Sequence, residues 1–272
     1  MLFSVAAAIG LVVQPGAMPA RLRLPQPLSV QMYKGMAIKP GEENSFVQTE
    51  MRGAAMALHT KQQAPREGKA EAKKVEQSPV QSWQPGRADY LQFLVDSRLV
   101  YGTLEELCEE TEALAPLRNS GLERAAALDK DIEWFAAEGV PAPAVASQGS
   151  GYASFLQGLV DDGKLEAFVC HFYNFYFAHT AGGRMIGKRM AAMLLEDKTL
   201  EFYRWQDPKS GEEVDPSDKL LPDLRKQIDG MVESWSREQK DLCIAETADS
   251  FKYALPPTDR ADLPTLPTRP LL

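Results

Sequence analysis

No stretch of this sequence alternates β-branched and polar residues, and no Asn-Gly or Asp-Gly pair stands between two such runs as a hairpin turn would. What recurs is the three- and four-residue spacing of helices. Val47, Met51, Ala55 and Leu58 share one face of a helix over about 45–60. Leu91, Leu94, Val95 and Leu99 open a second at Arg87 that continues through Leu107. A shorter helix is predicted across 122–135. The run 139–151 is Gly, Pro and Ser punctuation, after which helices follow at about 152–161 and 164–197. Residues 207–218 read as a polar loop. The last helices cover about 219–232 and 237–253, with Ser236 and Gln239 spaced as a capping box for the second. The chain is therefore expected to be all-α.

The 272 residues, 44% of them apolar and 25% charged, suffice for a substantial core. The segment 62–85 is rich in Lys, Glu, Gln and Pro without an apolar period, and predicts a mobile loop. One helix before it is too little to fold alone, so 41–254 is expected to be one domain. Residues 255–272 form a Pro-rich tail that cannot be regular helix. Before Glu42 there is no acidic residue, while Arg21, Arg23, Lys34 and Lys39 are present, which marks 1–40 as an organelle-targeting leader. The apolar stretch 2–13 leaves open a bipartite leader, an ER signal ahead of a transit peptide, and a retained N-terminal arm is the plainer alternative. No other run approaches the roughly 20 apolar residues of a bilayer span, so no membrane span is expected in the mature chain. A net charge of -8 argues against a nucleic-acid binder. Cys108, Cys170 and Cys243 lie far apart with no C-x-x-C pair, and read as reduced packing residues.

The only histidines are His59, His171 and His179. His59 ends the first helix on the same side as Arg52, since seven residues make almost two turns and about 10 Å of rise. One helix could thus offer an iron ligand and a cation for a carboxylate; a hydrogen-bonded core or surface histidine is the plainer reading. In FYNFYFAHTAGGRMIGKRM, Gly182, Gly183 and Gly187 interrupt a good helix, each at a cost of roughly 1 kcal/mol relative to alanine. Either the backbone must approach a flat ligand or kink, or the helix stops at Gly182 and restarts. Spacing does not choose. His179 lies four residues before Gly183 and three after Tyr176, on the glycine face.

The segments MRGAAMALHTKQQAPREGKA, DYLQFLVDSRLVYGTLEEL, GLERAAALDKDIEWF, CHFYNFYFAHTAGGRMIGKRMA, LEFYRW and ESWSREQKDLCIAETADSFKY resemble plant and algal haem oxygenases, in order and spacing, over about 45–254. The resemblance implies a multihelical single domain with haem, at once cofactor and substrate, sandwiched between a proximal and a kinked distal helix. It implies His59 as axial ligand of the iron and Gly182 and Gly183 as the distal step over the haem. His179 stands where many non-plant members carry an aspartate, and Ala178 where they carry a glycine; both departures look like the plant branch and put the distal hydrogen bonding in doubt. Arg52, Tyr173 and a late-helix cation, Arg225 or Lys226, would hold the propionates. Plant-type members that lack the proximal histidine are implied to be inactive; this chain keeps it. The activity implied is cleavage at the α-meso carbon to biliverdin IXα, Fe2+ and CO, with electrons from reduced ferredoxin, in the plastid stroma. A bilin reductase would act downstream. Arg184, Lys188, Arg189 and Arg204 would form the ferredoxin-docking patch, or else ordinary solvated surface. Two rival readings stand: a non-catalytic haem carrier or sensor, and a helical subunit of a plastid complex that binds no haem.

Overall fold

The computed structural model describes residues 44–59, 61, 68 and 84–253. The leader 1–40, the tail 255–272 and, apart from residues 68, 84 and 85, the loop 62–85 lie outside the described residues. Among the described residues there is no strand; one isolated bridge pairs Gln206 with Glu213. Among the described residues, no helix is long and apolar enough to cross a membrane.

A π-helical turn, Val47–Met51, runs directly into helix α1, Arg52–Leu58. The longest helix, α2 (Arg87–Glu110), buries Leu91, Leu94, Val95, Leu104 and Leu107, and packs against α3 (Ala125–Ala137) and α4 (Ser147–Asp161). Helix α4 begins five residues earlier than its apolar pattern announces. Gly149 is the reason such a Gly/Ser run can be helical here, since a Cβ there would stand 2.9 Å from that of Asp96 on α2. Gly163, at φ +70, turns the chain from α4 into α5 (Leu165–Ala178).

Helix α5 is apolar nearly all round, as expected of a helix enclosed by others. It contacts α4, α8 (Arg237–Ala245) and α9 (Thr247–Tyr253). Its buried polar groups are each answered: His171 lies between the Tyr152 hydroxyl at 2.7 Å and Glu246 at 3.0 Å, and Asn174 donates to Ser250 at 2.8 Å. Cys108, Cys170 and Cys243 are free and buried, in agreement with their reading as packing residues.

From α5 the chain passes through a second π-helical turn, His179–Gly183, into α6 (Arg184–Leu194). A 3-10 turn, Glu201–Tyr203, precedes the polar loop, and α7 (Leu220–Val232) follows. The capping box at α8 is formed: Gln239 N–H donates to Ser236 Oγ at 3.3 Å, and Ser236 N–H to Gln239 Oε1 at 3.0 Å. The last predicted helix is divided at Glu246, between α8 and α9.

Candidate functional site

Twelve residues of helix, 47–58, are too few to be stable alone, and three other helices fasten them. Asp229 of α7 accepts from Val47 N–H at 3.0 Å and from Ser45 Oγ at 2.6 Å, which caps the N-terminus. Arg237 of α8 makes a two-pronged bond to Glu50 at 3.0 and 2.7 Å. Phe251 of α9 stands edge-on to the His59 ring at 5.2 Å and 86°. His59 itself has left the helix, with φ -84 and ψ 137. Its Nδ1 lies 2.8 Å from the Ala55 carbonyl. A carbonyl only accepts, so Nδ1 carries the proton and Nε2 keeps a lone pair, the form in which an imidazole binds a metal. The ring is half-buried and the neighbouring Leu58 is exposed. Arg52 begins α1 and is also half-buried.

Gly182 and Gly183 do not stop the helix. Gly183 has helical angles, φ -57 and ψ -41, and the residue added to the turn is absorbed as π-helix. The three glycines face three different surroundings. A Cβ on Gly187 would lie 2.7 Å from the Tyr203 ring, and one on Gly183 would lie 2.8 Å from His179 Nδ1; one on Gly182 meets nothing within 4 Å. Ala178, Ala181, Gly182 and Met185, at helical spacing, form an exposed stripe of mostly small residues, while His179, Thr180 and Gly187 point inward.

His179 stacks on Phe202 at 4.0 Å and 21°, and its Nε2 lies 2.8 Å from the Phe202 carbonyl. By the same reasoning as for His59, Nε2–H donates and Nδ1 is the bare acceptor. Burial drives its pKa down to about 3, against the pull of the Phe202 carbonyl and with help from the nearby Arg124 charge. His179 is therefore a neutral acceptor with no proton of its own to give.

Tyr173 is buried on α5 with its ring tilted against Phe177 at 4.3 Å and 37°, and the Arg225 guanidinium lies over the same Phe177 ring, 5.2 Å from its centre. Tyr173 and Arg225 thus share one aromatic neighbour, whereas Lys226 is turned to solvent. A flat macrocycle with iron and two carboxylates fits these groups: an imidazole with one bare nitrogen, a helix face without side-chain bulk at Gly182, and a tyrosine with a nearby arginine.

The proposed docking patch is less basic than its sequence. Arg184 pairs with Asp215 at 2.8 Å, and Arg204 with Glu213 at 2.5 Å and Glu201 at 3.0 Å. Sequence reasoning also missed Phe251, Phe202, Asp131 and Arg124. LEFYRW and GLERAAALDKDIEWF were marked by resemblance, but a backbone carbonyl as a histidine's partner leaves no side-chain signature.

A family model described as Heme oxygenase matches residues 60–253, beginning one residue after His59. Heme oxygenase 1, chloroplastic, of Arabidopsis thaliana is 45% identical over 217 residues, 79% of this chain and 73% of the relative. Its namesake from Oryza sativa subsp. japonica is 45% identical over 216 residues, 79% of this chain and 70% of the relative. A further rice protein, Probable inactive heme oxygenase 2, chloroplastic, is 38% identical over 173 residues, 63% of this chain and 50% of the relative.

Proposed function

From the premise that this chain belongs to the haem oxygenase family, whose substrate and prosthetic group is haem, we propose that it opens haem at the α-meso carbon to biliverdin IXα, releasing Fe2+ and CO. Electrons come from reduced ferredoxin, and the site of action is the plastid stroma, in keeping with chloroplastic relatives. The biliverdin would pass to a bilin reductase for phytochrome or related chromophores, or end as haem breakdown.

The observation that carries this reading is His59, locked by Ala55 with Nε2 bare at the end of a helix that three others hold in place. Haem, when bound, supplies the iron at which dioxygen is activated and the meso carbon that is lost. The chain's residues orient and hold. His59 Nε2 would hold the iron. Arg52, Tyr173 and Arg225 would take the propionates and so fix the orientation of the macrocycle. Gly182 lets the distal backbone approach the ring, and Gly183 leaves room for His179. His179 Nδ1 accepts from a distal water and holds it; the protons reach the site through that water, since the imidazole is neutral and its own N–H is committed to Phe202.

Titration with haemin, followed by ferredoxin, its reductase and NADPH, tests the reading. A Soret complex that gives way to biliverdin is expected. In His59→Ala the axial nitrogen signature and turnover should disappear; an unchanged Soret band and biliverdin yield in that variant would sink the ligand assignment. A haem carrier is the second reading, favoured by the similarity to a relative named as inactive. It predicts a haem complex that reductant and oxygen leave intact.

A further inference from the structure

We propose that Asp131 and Arg124 are positioning residues that fix the tautomer of His179 by clamping the backbone of residues 201–204, and so leave Nδ1, beside Gly183, as the bare acceptor toward the distal side. That direction rests on the haem oxygenase reading; the clamp itself does not. Asp131, on α3, is buried, and its charge is met chiefly by backbone amides, with a weaker attraction from Lys198. Its two oxygens accept from two consecutive amides, Glu201 N–H at 2.8 Å and Phe202 N–H at 2.7 Å. Arg124, just before α3, is also buried. Its Nη1 donates to the Arg204 carbonyl at 2.5 Å, with those of Phe202 and Glu201 at 3.5 Å, and its Nε to the Leu122 carbonyl at 3.0 Å. The guanidinium lies 5.1 Å from the Trp205 ring centre.

Buried charges ordinarily pair with each other. Here a carboxylate gathers the N–H groups of one short stretch while a guanidinium gathers its carbonyls. The stretch is thereby held at both poles. Arg124 is itself anchored, since Glu105 of α2 accepts from its N–H at 2.6 Å and from that of Ala125 at 3.0 Å.

The product of this investment is one carbonyl, that of Phe202, aimed at His179 Nε2. A free imidazole exchanges its proton between two nitrogens, and its hydrogen-bond partner decides which one keeps it. Were the 201–204 stretch free to turn, the Phe202 carbonyl would leave Nε2, and either nitrogen could face the distal surface with a proton or without one. The rings of Phe202, Tyr203, Trp205 and Tyr101, all within 5.8 Å of the imidazole, keep its plane but say nothing about its proton.

Nitrogen NMR of haem-free protein carrying 15N-histidine tests this directly, because the chain has only three histidines. In the wild type, His179 should be in the Nε2–H form and should not titrate between about pH 6.5 and 9, the range in which Asp131 is ionised and accepts from both amides. Asp131→Asn, which offers an amide group where one backbone N–H must be accepted, should mix in the Nδ1–H form or start titration in that range. The His171 signals, held by Tyr152 and Glu246, should stay in place and report an intact fold. Phe202→Leu removes the stacked ring but keeps the carbonyl, and should retain the Nε2–H form. Wild-type His179 protonated on Nδ1 overturns the proposal with no variant needed. So does an Asp131→Asn protein with the wild-type tautomer, or a Phe202→Leu protein altered as much as Asp131→Asn. Haemin added to the same samples separates the two readings: a wild type that forms no Soret complex retires the haem oxygenase reading while the tautomer result stands.

Discussion

Gly182 and Gly183 are neighbours in sequence whose substitution should have opposite effects. Gly182→Ala places a methyl group in open space, so it should raise the stability of the haem-free protein by up to about 1 kcal/mol through helix propensity. The same methyl group narrows the distal face, and biliverdin formation should fall. Gly183→Ala drives a methyl group toward His179 Nδ1 and should cost roughly 1–3 kcal/mol by overpacking. Thermal unfolding and single-turnover assays of both variants check this; loss of stability in Gly182→Ala would refute an open distal face. Acid should test the same region. His179 titrates near 3 in the folded chain and near 6.5 when unfolded. The unfolded chain therefore takes up the proton first, and stability is lost as pH falls from 6.5 toward 3, by up to about 5 kcal/mol. Asp131 works against this: burial holds it at about 6 against an ordinary 3.8, so its contribution is present at low pH and lost as pH rises through 6. His179 departs further from its ordinary value, and the net slope should follow it. Unfolding free energies at pH 7 and 4.5 should diverge more in wild type than in His179→Gln; equal slopes would contradict a buried neutral imidazole.

At the scale of elements, the proximal helix is a short segment held in place by its neighbours. Asp229→Ala removes both bonds to the start of the 47–58 segment and should cost about 1–2 kcal/mol as a lost cap. The loss should concentrate there, as faster amide exchange at 47–58 and weaker haem binding, with little change in exchange on α5. Uniform loss of protection would mean that the segment is not a separable unit. Much of the helix order was legible in sequence, because apolar spacing and the Ser236–Gln239 box are local signals. The start of α4 was not, since Gly149 is explained only by Asp96, far away in the chain. Spacing likewise left two readings of the Gly-Gly step, and neither foresaw a π-helical turn in which Gly183 abuts His179 while Gly182 faces open space. His59 and His179 could be named as candidates because side-chain chemistry marks them, and Tyr173 because the resemblance implies a tyrosine near a propionate there. Asp131 could not: its partners are backbone amides 70 and 71 residues further on, and any residue would have supplied them.

For the whole molecule, the net charge of -8 sets the terms on which an acidic electron donor can approach. If the donor is ferredoxin, as proposed, long-range repulsion would have to be offset by a local basic surface, for which α6 and its surroundings are the candidate. Arg184 and Arg204 contribute little to it, since Asp215, Glu213 and Glu201 neutralise them, which leaves Lys188, exposed on the same helix, as the charge most available to a partner. A docking surface of this kind acts at contact distance, and exposed charges are screened beyond about 10 Å at 0.1 M salt. The KM for ferredoxin should therefore rise several-fold between about 20 and 200 mM salt, with little change in kcat. Lys188→Gln should raise KM at low salt and flatten that dependence, while Arg204→Gln should leave it nearly as in wild type. If the rate instead climbs with salt, repulsion by the whole molecule governs the encounter and the donor docks on some other face. Lys188→Gln with an unaltered salt profile would move the contact off α6 in the same way.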